Sequence, residues 1–240
     1  MLDPSTTLRS WDSDDRESAE AHEFGLYHAL VEARLPFELH ADLDLADAKL
    51  DRYKLIAVAN AAFLSEAQCD SLTRYVERGG SLVTSFETSL YDEWGVRRAD
   101  YGLSKLFGAS VAGPTTAHAK NTYIELAGGH PLTAGFGDAT RIMGGTRQIP
   151  VQLHEGAGAK VPFRFIPAFP DLPMEEIYPR AVATAPAAIV REFSGGGRLV
   201  YFPWNLGEVF WDVLSFDHSI LIGNAVRWAL GARSRVEVSG

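Results

Sequence analysis

The sequence is short of the residues that announce a chemistry most directly. Cys69 is its one cysteine among 240 residues, so no disulfide can form within the chain and no thiolate cluster can hold a metal. Positive charge is also scarce. Against 31 Asp and Glu there are 22 Lys and Arg, a formal net charge of −9, and no local run of Lys or Arg reverses that sign. Such a surface repels a phosphate backbone, which excludes nucleic acid as an expected partner. No stretch approaches the roughly 18 consecutive apolar residues that cross a bilayer. The opening MLDPSTTLRSWDSDDRESAEAHEF lacks the basic-then-apolar pattern of a secretory signal, so no membrane contact is expected and a cytoplasmic location is. The seven histidines, His22, His28, His40, His118, His130, His154 and His218, are scattered and match no metal-ligand spacing. Gly144-Gly145 and Gly195-Gly196-Gly197 match no phosphate loop and read as turns. No metal and no cofactor are expected.

What is present is an ordinary globular composition, 46% hydrophobic and 22% charged, enough for one sizeable core. The expected organisation is an irregular lead-in over 1–16, a single α/β domain over 17–233 and a tail over 234–240. Periodicity predicts a first helix over 17–33, with Phe24, Tyr27, Leu30 and Val31 at three- and four-residue spacing. Pro36 blocks its continuation, and 36–39 reads as a short strand. The clearest unit comes next. Lys54-Leu-Ile-Ala-Val-Ala-Asn60 is a nearly continuous apolar run, as in a strand buried on both faces. Ser65, with Gln68 three residues on, opens a helix through a capping box; Leu72, Tyr75 and Val76 line its inner face, and Gly79-Gly80 ends it. Residues 81–86 form the following strand and complete a right-handed parallel crossover.

Beyond a loop over 87–100 and a short helix over 101–107, the pattern turns β-rich. Strands are expected over 122–126, 147–153 and 161–166, with Pro150 and Pro162 at edges or bulges. Residues 187–193 and 198–202, joined by Ser194-Gly-Gly-Gly197, read as a hairpin. The last helix begins near Asp217 and stops at Gly231. The whole reads as α/β with antiparallel additions.

Several phrases then resemble one family. Gly25-Leu-Tyr-His-Ala-Leu-Val-Glu-Ala-Arg34, the unit over 53–80, Glu87-Thr-Ser-Leu-Tyr-Asp92, and Leu199-Val-Tyr-Phe-Pro203 followed by Asn224-Ala-Val-Arg-Trp228 are similar to the amidotransferase-like β-galactosidase trimerisation domain found after the barrel of family 42 glycoside hydrolases. The resemblance runs over 23–231. It implies a flavodoxin-like, class I glutamine-amidotransferase-like sheet, mostly parallel and flanked by helices, without glycosidase chemistry of its own. It also implies partners: copies of the chain itself in a homo-oligomer, or a glycosidase barrel domain, with a sugar as a further ligand. One departure stands out. Family members begin with an apolar strand that runs into a polar loop; Pro4-Ser-Thr-Thr-Leu-Arg-Ser-Trp11 resembles the loop, and the strand is missing. A first strand is usually central in a doubly wound sheet, so its loss would expose strand edges. The chain therefore reads as a piece of a longer protein, unless another segment fills the slot.

The candidate sites follow from where strands end. An amidotransferase needs a cysteine on the sharp turn after a strand and a histidine to activate it. The matching turn, Phe86-Glu87-Thr88-Ser89, has none, and Cys69 falls mid-helix on the apolar face, where a packed core thiol is expected. Ser85 and Ser89 have neighbours too bulky for a serine elbow. No catalytic residue is assigned. Glu87 at the end of a parallel strand and Asn60 at the end of its neighbour face one crevice; with Thr88, Ser89 and Tyr91 they offer hydrogen bonds to a sugar or small polar metabolite. The plainer alternative is that Glu87 caps or pins the loop. His218 beside Asp217 could join Glu87 as a dyad, which gives the alternative of a small hydrolase or sugar-metabolism enzyme using Asn60, Glu87 and His218; a capping pair is the competing reading. Glu175 and Glu176 are adjacent and so diverge, which does not suit a glycosidase pair. Trp204, Phe210, Trp211 and Phe216 cluster after the last strand, either as an interface or as the floor of the core.

Overall fold

The computed structural model describes residues 13–40, 47–117, 119, 122–126, 128–166, 176 and 183–231. Most of the expected lead-in, the tail over 234–240, the loop-like segment Pro4 to Trp11, His118 and Glu175 lie outside these residues. Helix α1 spans Ser13–Glu32, starting four residues before the expected position. Arg34, at φ 55°, ends it, and the Leu35 amide reaches back to the Leu30 carbonyl in a Schellman-type closure. The segment over 36–39 is not a strand, a correction that Pro36 explains: it removes a donor from a run too short to pair without one.

A short helix α2, Asp47–Leu50, leads into β1, Leu55–Val58. Helix α3, Glu66–Glu77, opens on the complete Ser65–Gln68 capping box, and β2 covers Ser81–Ser85. β1 and β2 pair in parallel, Leu55 beside Ser81 and Val58 beside Thr84. After α4, Ser104–Phe107, come β3, Ala109–Val111, β4, Tyr123–Leu126, and a 3₁₀ turn, Pro131–Thr133. Strands β5, Arg141–Met143, β6, Val151–Leu153, and β7, Lys160–Ile166, follow. The hairpin is formed by β8, Ala185–Glu192, and β9, Arg198–Phe202. Helices α5, Leu206–Val213, and α6, Phe216–Leu230, finish the described chain; the first of these was not expected from the sequence.

The main sheet runs β1-β2-β9-β8-β7-β4-β5. Its first three strands are parallel, and the rest join antiparallel. This is the flavodoxin-like α/β architecture with antiparallel additions. β3 and β6 form a separate two-stranded sheet. Pro162 falls at a register shift between Lys160 and Phe163, so the sheet accommodates its missing donor with a bulge. Among the described residues no strand pairs with the outer side of β1, whose Ile56, Ala57 and Val58 are nevertheless buried.

Period-two alternation splits the core between the two faces. Ile56, Val58, Leu82, Leu199 and Tyr201 pack with α3 and α4 on one side. Ala57, Val83, Val200 and Phe202 pack with α1, α5 and α6 on the other. Here α1 departs from expectation. Its buried face is Ala21, His22, Leu26, Ala29 and Leu30, whereas Phe24, Tyr27 and Val31 are exposed. The reason is glycine. A Cβ on Gly25 would sit 1.9 Å from the Gly207 carbonyl oxygen, so the bare sides of α1 and α5 meet backbone to backbone and turn the bulky residues outward. Among the described residues no helix is long and apolar enough to cross a membrane.

Candidate functional site

Open α/β sheets place ligands at the carboxyl ends of their parallel strands, so the region after β1, β2 and β9 comes first. The chain leaves β2 at Phe86, which adopts φ 54°. That left-handed backbone is uncommon outside glycine and is retained only where the surroundings fix it. The Phe86 amide donates to the Phe202 carbonyl (2.7 Å), and its own carbonyl accepts from the Tyr201 hydroxyl (2.7 Å). Tyr201 is in turn joined to the Tyr101 hydroxyl (2.8 Å), and burial pushes both phenols up. Phe86 thus occupies the sharp turn where a nucleophile would stand, with a hydrocarbon ring in its place.

That ring is enclosed. The His22 imidazole stacks on it with centroids 5.6 Å apart and planes at 16°, and the Arg147 guanidinium lies 5.0 Å from its centre. Arg147 donates to Glu208 Oε2 from Nη2 (2.6 Å) and Nε (3.2 Å), and Asn205 donates to the same oxygen (2.5 Å). The Asn205 amide oxygen accepts from the backbone of Thr146 and Arg147. Burial pushes the Glu208 carboxyl up, but His22, Arg147 and Asn205 outweigh it and hold the group below the usual range. At neutral pH the holding falls to Arg147 and Asn205, because burial lowers His22 to about 4, opposed by Glu208 and reinforced by Arg147. His22 Nε2 is 3.7 Å from Glu208, too far for a hydrogen bond, and neither ring nitrogen has a partner among the described residues. The imidazole presents its face to Phe86. A general base would point a nitrogen there.

The crevice residues lie on the loop beside this turn, and most are engaged by the loop itself. Asn60 Oδ1 accepts from the Glu87 amide (3.0 Å). Thr88 is fully buried, its hydroxyl bridging Thr84 Oγ1 (2.7 Å) and the Ser85 carbonyl (2.8 Å). Ser85 donates to the Ala59 carbonyl. Ser89, also buried and at φ 66°, accepts at Oγ from the Leu103 amide (3.1 Å). Tyr91 packs on Phe63 with ring centres 5.2 Å apart, and Glu87 is half-buried. Arg98 clamps the loop by donating to the carbonyls of Leu64 (2.8 Å) and Tyr91. Asn60, Glu87, Thr88, Ser89 and Tyr91 are therefore neighbours.

His218 is placed elsewhere. Its Nε2 meets the Met143 carbonyl (2.9 Å), its ring stands edge-on to Trp204, and burial lowers its pKa. Cys69 is buried in α3, its thiol pushed up to about 12 by burial, and Gly102 approaches so closely that a Cβ there would lie 2.6 Å from its sulfur. The aromatic cluster divides. Trp204 and Phe210 are core residues, Trp204 donating from Nε1 to the Ala187 carbonyl (2.9 Å); of the two readings, interface or floor of the core, their full burial fits the second and takes them off the list of interface residues. Trp211 and Phe216 are at the surface. Among the described residues no three His, Cys, Asp or Glu side chains are grouped to hold a metal ion, and Glu176 is exposed.

Sequence reasoning missed His22, Arg147, Asn205 and Glu208. For His22 a signal existed: it shares the three- and four-residue spacing of Leu26, Ala29 and Leu30. Arg147 and Asn205 are 58 residues apart in sequence, and no local pattern joins them.

A family model described as the β-galactosidase trimerisation domain matches residues 8–130, just over half of the chain. No curated protein matches. Among solved structures the chain is similar to the GH42 β-galactosidase Gan42B of G. stearothermophilus, at 17% identity and TM-score 0.55 over 82% of this chain and 25% of that one. It is similar to α-L-fucosidase isoenzyme 2 of Paenibacillus thiaminolyticus, at 16% identity and TM-score 0.63 over 89% and 30%. A ThuA-like protein of Bacteroides uniformis is similar at 16% identity and TM-score 0.61 over 93% and 89%. At these identities the likeness is one of fold. The chain spans 25% of the length of that β-galactosidase.

Proposed function

Because this chain belongs to the β-galactosidase trimerisation domain family, we propose that it is a non-catalytic module that serves assembly. Its partner is a further copy of itself, or a glycosidase barrel on the same or another chain. The observation that carries the reading is Phe86. Directly after the parallel strand β2, at φ 54°, stands a phenyl ring covered by His22 and Arg147. A phenyl ring can neither attack a carbonyl nor move a proton, which supports assembly over chemistry at this turn.

Sugar contact belongs to the same reading in a smaller role. The place for it is the loop after β2, where Asn60 binds the Glu87 amide and Thr88, Ser89 and Tyr91 follow. The assembly reading is tested by sedimentation velocity of the chain over a wide range of concentration. A boundary that shifts to larger species as concentration rises supports it. A single monomer boundary throughout contradicts it.

A further inference from the structure

We propose that the exposed apolar face formed by α1 and the corner between α5 and α6 is the surface on which a second copy of this chain docks. The inference rests on the assembly reading and names its interface. The close approach of Gly25 and Gly207 turns Phe24, Tyr27 and Val31 outward at three- and four-residue spacing, which places them on one stripe of α1. α5 lies alongside and sets the Trp211 ring 5.0 Å from Phe24 and 5.1 Å from His28. The chain then turns at Leu214, which is held at φ 48°, and exposes Phe216 by 76%. Ser219, one turn into α6, donates to Glu32 at the end of α1 (2.6 Å), so the corner lies beside the Val31 end of the stripe.

Area supports a second copy at this face. With about 150–250 Å² for each aromatic side chain, these residues expose on the order of 600 Å² of apolar surface. A standard interface takes roughly 800 Å² from each partner, so the face supplies most of one half of a stable contact. Another exposed apolar group among the described residues, Trp94 and Val96 after the Glu87 loop, exposes only on the order of 300 Å², which is normal for a monomer surface.

The test compares the wild type with Val31→Glu/Phe216→Glu and with Trp94→Glu by light scattering, with circular dichroism to establish that each is folded. Both substituted sites are exposed, so the double variant is expected to fold and to dissociate at least tenfold more readily than wild type, while Trp94→Glu keeps the wild-type mass. If the double variant does not fold, Phe216→Ser replaces it with the same expectation. A wild type that assembles, with stripe variants that assemble equally well, overturns this interface and leaves the assembly reading standing. A wild type that is monomeric throughout overturns both.

Discussion

The ring of Phe86 lies parallel to the imidazole of His22, 5.6 Å away, at the point where the chain turns off β2. This contact joins the strained turn to α1, and through Gly25 and Gly207 to α5. Its two halves make separate predictions.

The first concerns the backbone. Replacing Phe86 by Ala removes a buried ring and is expected to destabilise by about 3–5 kcal/mol. Replacing it by Gly removes the same ring but relieves the left-handed conformation, worth roughly 1 kcal/mol. Phe86→Gly should therefore be the more stable of the two by about 1 kcal/mol, a reversal of the usual order. Urea denaturation of both variants measures this, and an Ala variant equal to or more stable than the Gly variant refutes the strain.

The second concerns pH. Folded His22 takes up its proton near pH 4, whereas the unfolded value is 6.5. Between these values the unfolded chain binds more protons, so the His22 contribution is complete above about pH 6.5 and is lost as pH falls through 4. The loss is on the order of 3 kcal/mol. His218, also lowered by burial, acts in the same direction. A His22→Leu variant is expected to show a shallower fall in denaturation midpoint from pH 7 to pH 4. An unchanged slope would place the buried titration elsewhere.

The Arg147–Glu208 pair is partly exposed, with side chains 28% and 15% accessible, so solvent screens it. A double-mutant cycle with Arg147→Met and Glu208→Gln is expected to give a coupling of about 1–2 kcal/mol. Glu208→Gln alone removes the negative charge that Arg147 faces, and Arg147→Met alone removes two hydrogen bonds that Glu208 Oε2 accepts. Each should therefore cost more than the double variant's share. Strict additivity would mean the pair does not hold α5 to the segment before β6.

Helix packing gives a fourth. Alanine is the better helix former by about 1 kcal/mol, so Gly25→Ala would stabilise an isolated α1. In the folded chain its Cβ would meet the Gly207 carbonyl at 1.9 Å. The melting temperature is therefore expected to fall. A rise would show that α1 and α5 can part without loss.

The parts of this fold visible in the sequence are those written locally. The β1–α3–β2 unit is legible because an apolar run, a capping box and a Gly-Gly stop lie within 27 residues, from Lys54 to Gly80. The hairpin of β8 and β9 is legible for the same reason. α5 was hidden because its apolar residues sit so close to Trp204 that they read as one aromatic cluster. The facing of α1 was hidden too. Phe24, Tyr27 and Val31 satisfy helical periodicity as well as Leu26, Ala29 and Leu30 do, and only contact with Gly207 decides which set is buried. At the site, the lack of a cysteine on the turn Phe86-Glu87-Thr88-Ser89 is written in the sequence itself. That His22 covers the turn is a tertiary fact.

The most direct test is the mass of the purified wild-type chain by light scattering at several concentrations. Assembly predicts a mass that rises with concentration to a whole-number multiple of 26.2 kDa. A mass that stays at 26.2 kDa up to the solubility limit would contradict it.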